Sequence, residues 1–457
     1  MCRPVSQGGA FIQKIEPVFL NIMQNYIIVG TGVSGIAAAE AIRSQNAQAN
    51  ITLFGDDPFG YYSRPGLAYY LTHEIDEKFL FPYSPEDFKK LNARFVRDKV
   101  INIHTSTRQV ETSTRQYAPY DSLLLATGSA AVPLNVPGAG AEGVLKLDHL
   151  EDARKIIRLA KKSRTAVVVG GGITALELAE GLASLNVKVH LLIRTQHYWS
   201  NVLDEVESGI VEKRLQQEGI TTHPQTELAE IIEKNGRVIA VRLKNGGQIK
   251  CDLLAYAVGV QPRLALAKQA GIACERGILV DASMRTNIPN VFASGDAAQV
   301  HDPASGRMVL NSLWHPAREQ GRIAGLNMAG EHATYQRAMP LNVTRLGGLT
   351  TTIIGSVGTG RDGEPLTIAR GDSETWRDVP DAIIAQGGFD VNHIRLMVAN
   401  KTIIGAILMG DQKLSPALQE IVHSQVDITP IRGQIIQPGA PIADILARFW
   451  ENYQKTM

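Results

Sequence analysis

Apolar residues in this chain come in short unbroken runs, each closed by glycine. YIIV at 26–29 leads into GTGVSG and then IAAAEAIRSQ, a pattern that predicts strand, tight turn and helix. ANITLFGDD follows as a second strand, ending at Asp56 and Asp57. The same order recurs at RTAVVVGGGITALELAEGLASLNVKVHLLIR, which ends at Arg194. Further strands are predicted in DSLLLATGS, closing at Thr127 and Gly128, in CDLLAYAVG, closing at Gly259, and in VFASGDAA, running into Gly295 and Asp296. GRVIAVRLKNGGQIKC alternates and carries Asn245-Gly246, a hairpin signal. From about residue 340 the character changes. TRLGGLTTTIIGSVGTG and NHIRLMVANKTIIGAILMG are β-branched with a turn at Asn400-Lys401, and SPALQEIVHSQ and PIADILARFWENYQ are helical in pattern.

Two of the glycine turns have chemistry attached. Strand, G-x-G-x-x-G, helix, strand and acid make a dinucleotide-binding fingerprint, with Gly30, Gly32 and Gly35 in the first unit. The first glycine permits the tight turn, the second lets a pyrophosphate approach the backbone, and the third lets helix and strand pack closely. The free N–H groups and dipole of the helix N-terminus face the phosphates. In the second unit Gly170, Gly172 and Ala175 hold the three positions. Two such units imply two dinucleotides, or one and a non-binding duplicate. The predicted fold is α/β: two Rossmann-type units plus a C-terminal α+β domain. The expected division is a loose extension over 1–24, a first, discontinuous dinucleotide-binding domain over 25–150 and 255–335, a second dinucleotide-binding domain over 151–254, and a C-terminal domain over 336–457.

Composition narrows the function classes. A formal net charge of +1 gives no global field for nucleic acid or an anionic membrane. The three cysteines, Cys2, Cys251 and Cys274, form no C-x-x-C or C-x-x-x-x-C pair, which argues against a dithiol centre and for a reducing, cytoplasmic compartment. No apolar run is long enough for a membrane span. Lys14 and Glu16 break up the N-terminal segment, which makes a poor signal peptide. No metal-ligand cluster is expected.

The ordered motifs GTGVSG (30–35), LLLATGS (123–129), GGGITALELA (170–179), VGVQPR (258–263) and ASGDAA (293–298) resemble those of the FAD-dependent pyridine-nucleotide oxidoreductases. Within that family the chain is most similar to the reductases of ferredoxin- and rubredoxin-like carriers, with nitrite-reductase flavin portions and apoptosis-inducing factor as near relatives. That branch carries an acid, four residues and Tyr-x-Arg-Pro-x-Leu, matched by Asp57, Tyr62, Arg64, Pro65 and Leu67. It also carries Trp-x-x-Ala-x-x-Gln-Gly, matched by Trp314, Ala317, Gln320 and Gly321. The resemblance implies FAD, NADPH or NADH, and a small electron-carrier protein as partner. It implies that Asp296 holds the ribityl chain, Asp57 the adenosine ribose, and that Arg64 and Pro65 lie along FAD. It also implies that Thr127, Gly128, Gly259 and Gly295 line the cofactors and that Trp314 lies near the isoalloxazine. The C-terminal domain contributes to the flavin face or to a homodimer interface in this family.

The chain departs from the branch after Leu67. Ser-Lys is usual there, the lysine pairing with a glutamate beside the flavin. Here the positions are Ala68 and Tyr69, while the glutamate remains as Glu177. Glu177 therefore meets solvent, or Arg64 or another cation replaces its partner. Arg194 stands where NADH enzymes carry an acid, and an arginine attracts a 2′-phosphate, which favours NADPH. Two readings compete with the reductase: an oxidase, peroxidase or CoA-disulfide reductase, disfavoured because no cysteine lies near Ser63-Arg64-Pro65, and a redox-sensing flavoprotein. His315, beside Trp314, and the acidic run around Trp376 are further candidates, the latter as a solvated loop.

Overall fold

The computed structural model describes residues 24–303, 306–357, 367–371 and 392–456. The expected extension up to residue 23, Cys2 and Trp376 lie outside the described residues.

Five parallel strands form the first sheet, in the order Val291–Ala293, Ser122–Leu125, Asn25–Val29, Asn50–Gly55, Arg94–Arg97. The Val33–Gln45 helix follows the first fingerprint directly. Residues 291–293 lie far along the chain yet pair with 123–125, so the sheet closes only after the second unit has been threaded. A second parallel sheet runs Ile220–His223, Lys188–Leu192, Thr165–Val169, Leu253–Tyr256, Val144–Leu145, with the Ile173–Ser184 helix on it. The expected boundaries at 150 and 254 cut across this sheet, because Val144–Leu145 pairs with Leu254 and Ala255. Asn245-Gly246 does close a hairpin, between Arg237–Leu243 and Gln248–Lys250.

The C-terminal sheet is antiparallel: Leu341–Leu346, Leu349–Gly355, Ile403–Met409, His393–Val398, Thr367–Gly371. Its alternation divides its two faces. Leu346, Leu349, Ile353, Ile407 and Met409 pack against the second unit's core. Ile354, Leu396, Ala406 and Leu408 meet the apolar sides of the Ser415–His423, Thr429–Ile435 and Ile442–Thr456 helices. Among the described residues no helix is long and apolar enough to cross a membrane.

The Trp314–Met328 helix crosses Val33–Gln45 with the two backbones nearly touching. A Cβ on Gly321 would overlap the Ser34 carbonyl oxygen, and one on Gly325 the Ala38 carbonyl oxygen. Gly321→Leu is therefore expected to cost roughly 3 kcal/mol or more in urea denaturation, since backbone cannot yield as a side chain can. Gly209→Ala, on an exposed helix where a Cβ meets nothing, should instead gain up to about 1 kcal/mol. Equal effects at the two glycines would contradict this packing argument.

Candidate functional site

The two fingerprint turns have matching anatomy. Gly30 has φ +123° and Gly170 φ +150°, and a Cβ on either would drive into the carbonyl of the neighbouring strand's end, at Ala126 and Ala257. A Cβ on Gly35 would overlap the Gly30 carbonyl, and Ala175 packs on Gly170 in the same way. Gly32 and Gly172, by contrast, have nothing within 4 Å of an added Cβ. The middle glycine of each turn is bare where the protein itself does not need it bare. Each caps a helix with no side chain on its N–H groups, leaving them for an anion.

Around the first turn a polar cradle converges from distant segments. Asp296 accepts a hydrogen bond from the Ser129 hydroxyl at 2.7 Å. Burial raises its carboxyl above the ordinary range, partly offset by that bond and by the nearby Arg64 and Arg263. Gln320 is fully buried, and its carbonyl accepts from the Gly295 N–H at 2.9 Å while its Nε2 has no partner. Ser34 and Ser294 hydroxyls lie 2.5 Å apart. Thr127, Gly128 and Gly259 belong to one crossing. Ser129–Ala131 pairs with Val260–Pro262, and Arg263 donates to the Thr127 carbonyl at 3.2 Å. A buried donor without a partner, a desolvated acid and an unfilled glycine turn together fit a polar cofactor with a pyrophosphate and hydroxyl-bearing chain. FAD has those features. Gly30, Gly32, Gly35, Asp296 and Gln320 could hold it.

Asp57, the residue expected to contact the ribose, also has partners within the protein. Its carboxylate accepts from the Phe59 N–H at 3.0 Å and the Tyr62 hydroxyl at 3.1 Å, and lies 3.4 Å from His149 Nδ1. Burial pushes its carboxyl up, but these partners outweigh burial and the net shift is down. Tyr62 in turn accepts from the Leu150 N–H at 3.1 Å. The Asp57–Tyr62 pair thus ties the loop after the second strand to the Leu150–Ala160 helix.

Arg64 and Pro65 sit at the start of the short Gly66–Leu71 helix, both exposed. Arg64 acts electrostatically on Asp296 and Tyr62, whereas burial alone shifts Glu177 and Arg64 does not line the Glu177 cleft, so it is not the replacement for the missing lysine. Segment 61–69 spans two clefts. Tyr61 and Ser63 line one with Val33, Tyr83, Arg318 and Trp314, which is 42% exposed. Ala68 and Tyr69 line the other with Glu177, Glu180, Thr344 and Arg345. Trp314 and Glu177, both candidates for the reacting end, therefore line separate clefts. His315 is exposed on the first turn of its helix, where it lowers the acidity range of Glu319, and it does not line the Trp314 cleft.

Burial pushes Glu177 up to about 7. Glu180, one turn further on, is also pushed up to about 7 by burial, an effect that Arg345 partly counters. The cation in this cleft is Arg345, from the C-terminal sheet, and it pairs with Glu74 at 2.6 Å. Sequence reasoning found Glu177 but not Glu180, Tyr198 or Arg345. The available signal was Glu180 itself, an acid inside an otherwise apolar helix. In the second unit Arg194 is exposed just past the strand Lys188–Leu192 and acts on Glu227, which pairs with Lys244 at 2.8 Å.

The pyridine nucleotide-disulphide oxidoreductase model matches residues 24–321, which span both fingerprint turns and the cradle. The chain belongs to that family. Among the described residues both cysteines are free: Cys251 is buried, its thiol pushed up to about 12 by burial, and Cys274 is likewise raised by burial. The chain is 27% identical over 90% of its length to a nitrite reductase [NAD(P)H] of Bacillus subtilis, covering 49% of that protein. It is 30% identical over 66% of its length to a rubredoxin-NAD(+) reductase of Ectopseudomonas oleovorans, covering 80% of it. It spans about half the length of the first curated relatives it matches. Among solved structures, the putidaredoxin reductase–putidaredoxin complex superposes with a TM-score of 0.79 at 24% identity, over 93% of this chain and 98% of that one.

The raised carboxyls set a sign for stability in this family member. In the unfolded chain Glu180 titrates near 4.5, so between there and about 7 the folded protein binds more protons. Its contribution to stability therefore falls as pH rises through that window and levels off above it. Glu180→Gln should leave stability near pH 4 almost unchanged and raise it at pH 8 by on the order of 2 kcal/mol, measured by denaturant titration at the two pH values.

Proposed function

We propose that the protein is an NAD(P)H-dependent FAD reductase that passes electrons to a small carrier protein of ferredoxin, rubredoxin or nitrite-reductase type. The observation that carries this reading is the pair of open glycine turns, one of them backed by the Asp296–Gln320 cradle, with no cysteine beside them among the described residues. FAD, when bound, would supply the conversion of a two-electron donor into one-electron steps. The protein's own residues bind and orient. The Val33–Gln45 N-terminus takes the pyrophosphate, Asp296 accepts from chain hydroxyls, and Gln320 Nε2 donates to the cofactor. Gly170, Gly172 and Ala175 hold the nicotinamide dinucleotide in the second unit. Arg194 beyond its second strand supports NADPH over NADH. The names of the relatives, a rubredoxin reductase and a ferredoxin–NAD(+) reductase component among them, support the carrier as acceptor. The absence of cysteine pairs supports a cytoplasmic setting.

Gly32→Val separates binding from folding. It should abolish FAD retention while the apoprotein unfolds at its usual denaturant midpoint, because the added side chain meets no protein atom at its Cβ. Steady-state oxidation of NADPH and NADH with ferredoxin, rubredoxin and oxygen tests the activity. Turnover with oxygen alone would replace this reading by that of an oxidase, the activity named for a Methanocaldococcus jannaschii relative 30% identical over 71% of the chain. Arg194→Ala should raise the KM for NADPH about tenfold and leave that for NADH within about twofold, the scale of one lost charge-assisted contact. An unchanged preference removes the phosphate contact from the proposal.

A further inference from the structure

The cleft at Tyr69 lies where three parts of the chain meet: Ala68, Tyr69, Thr72 and Glu74 from the first unit, Glu177 and Glu180 from the second, and Thr344 and Arg345 from the C-terminal sheet. Its floor holds polar atoms that the fold does not satisfy. Glu180 is 7% exposed, and its Oε1 has no hydrogen-bond partner. Tyr198 is fully buried, its hydroxyl likewise has none, and both glutamates act on it electrostatically. Glu177 and Glu180 stand three apart on one helix, a spacing that makes them neighbours on its surface. A carboxyl oxygen and a phenol hydroxyl without partners are expensive to keep in a core unless their protons are used.

We propose that Glu180, acting through Glu177 and next to Tyr198, is the proton-exchange site of the redox reaction, open to solvent through the Tyr69–Arg345 cleft. The inference rests on the reductase reading. Its balance is NAD(P)H + FAD + H⁺ → NAD(P)⁺ + FADH₂, which draws one proton from solution, and return of two electrons to one-electron acceptors releases two protons. At the protein, the proton that reduction consumes leaves Glu177 as its O–H bond breaks, Glu177 takes the proton of Glu180 in its place, and Glu180 regains one from water in the cleft; on reoxidation the order reverses and the released protons leave to the same water. A carboxyl near 7 suits both directions at neutral pH. The groups around Glu180 set its charge. Glu177 on its own helix, Glu218 at the end of the Glu205–Gln217 helix and Glu74 at the rim are the nearby acids, and Tyr69 and Tyr198 are the nearby phenols. Arg345 is the opposing cation, and the Gly348 N–H faces the carboxylate, with Arg214 beside it. Glu180 is thus a positioning residue for protons rather than a catalytic residue.

The test is proton uptake during photoreduction of the FAD-loaded protein, read with an indicator dye in unbuffered solution between about pH 5.5 and 8.5. Photoreduction needs neither nicotinamide nor carrier. The wild type should show a pH-dependent component of uptake centred near neutrality. Glu180→Gln should lose it, and Glu180→Asp should recover it in part. Arg345→Gln should move its centre about one pH unit upward, because the cation favours the charged carboxyl. Uptake curves for wild type and Glu180→Gln that superimpose would overturn the proposal, as would an Arg345→Gln curve that stays in place. If Glu180→Gln fails to hold FAD, the Arg345→Gln shift decides by itself. A protein that shows these proton effects but is reduced by neither NADPH nor NADH has failed on the function and not at this site.

Discussion

The site depends on two helices meeting backbone to backbone. Val33–Gln45 carries the first glycine turn at its N-terminus, and Trp314–Met328 crosses it where Gly321 and Gly325 let the chains approach the Ser34 and Ala38 carbonyls. Any side chain at either glycine would hold the helices apart. That separation would withdraw Gln320 from the Gly295 N–H and open the Ser34–Ser294 contact, and both belong to the cradle that surrounds Asp296. The constraint is steric and leaves no room for compensation by flexible side chains, unlike most core contacts.

From that crossing the other parts take their places. The strand Val291–Ala293 delivers Gly295 and Asp296 beside the first turn only because it pairs with Ser122–Leu125, whose own end supplies the carbonyl over Gly30. Arg263, arriving from the second unit's side of the chain, grips the Thr127 carbonyl and acts on Asp296. The desolvated aspartate is tolerable because Ser129 donates to it and two guanidinium groups lie near. A cradle assembled from residues near 30, 129, 263, 296 and 320 is rigid because every contributor is held by sheet pairing or helix packing rather than by a loop alone.

The sequence made one class of feature legible and hid another. Glycine turns announce themselves, since backbone geometry demands glycine at Gly30 and Gly170 whatever the rest of the chain does, and the strands and helices flanking them follow with their order. The antiparallel C-terminal sheet and its helices were legible for a similar reason, from alternation and the turn at Asn400-Lys401. Side-chain partnerships were not. Asp57 ends the second strand as the fingerprint requires, but its protein partners Tyr62, Phe59 N–H and His149 were not legible, because their meeting depends on the Leu150–Ala160 helix lying over the loop. The edges of the second unit were also hidden, because Val144–Leu145 is too short a run to show which sheet it joins.

The absent lysine shows how such hidden partnerships matter. Tyr69 cannot neutralise a carboxylate, and Arg64, the basic residue of the motif, acts on Asp296 and Tyr62 and does not line the Glu177 cleft. Positive charge instead enters the cleft from the C-terminal sheet as Arg345, where Glu74 holds it at the rim and Glu180 feels it more than Glu177 does. A lysine beside Glu177 would stabilise one fixed charge; a remote arginine shared between Glu74 and Glu180 leaves Glu177 near the point where it can be charged or neutral at physiological pH. The same sheet is anchored to the second unit by Glu207, fully buried and 2.9 Å from Arg395, with His393 at 3.2 Å. Because that buried pair would be left uncompensated by any displacement, the sheet that supplies Arg345 is held in register with the helix that carries both glutamates. The electrostatics of the cleft are therefore a property of how three parts of the chain pack, and substitution at Tyr69 alone would not convert this cleft into its lysine-containing counterpart.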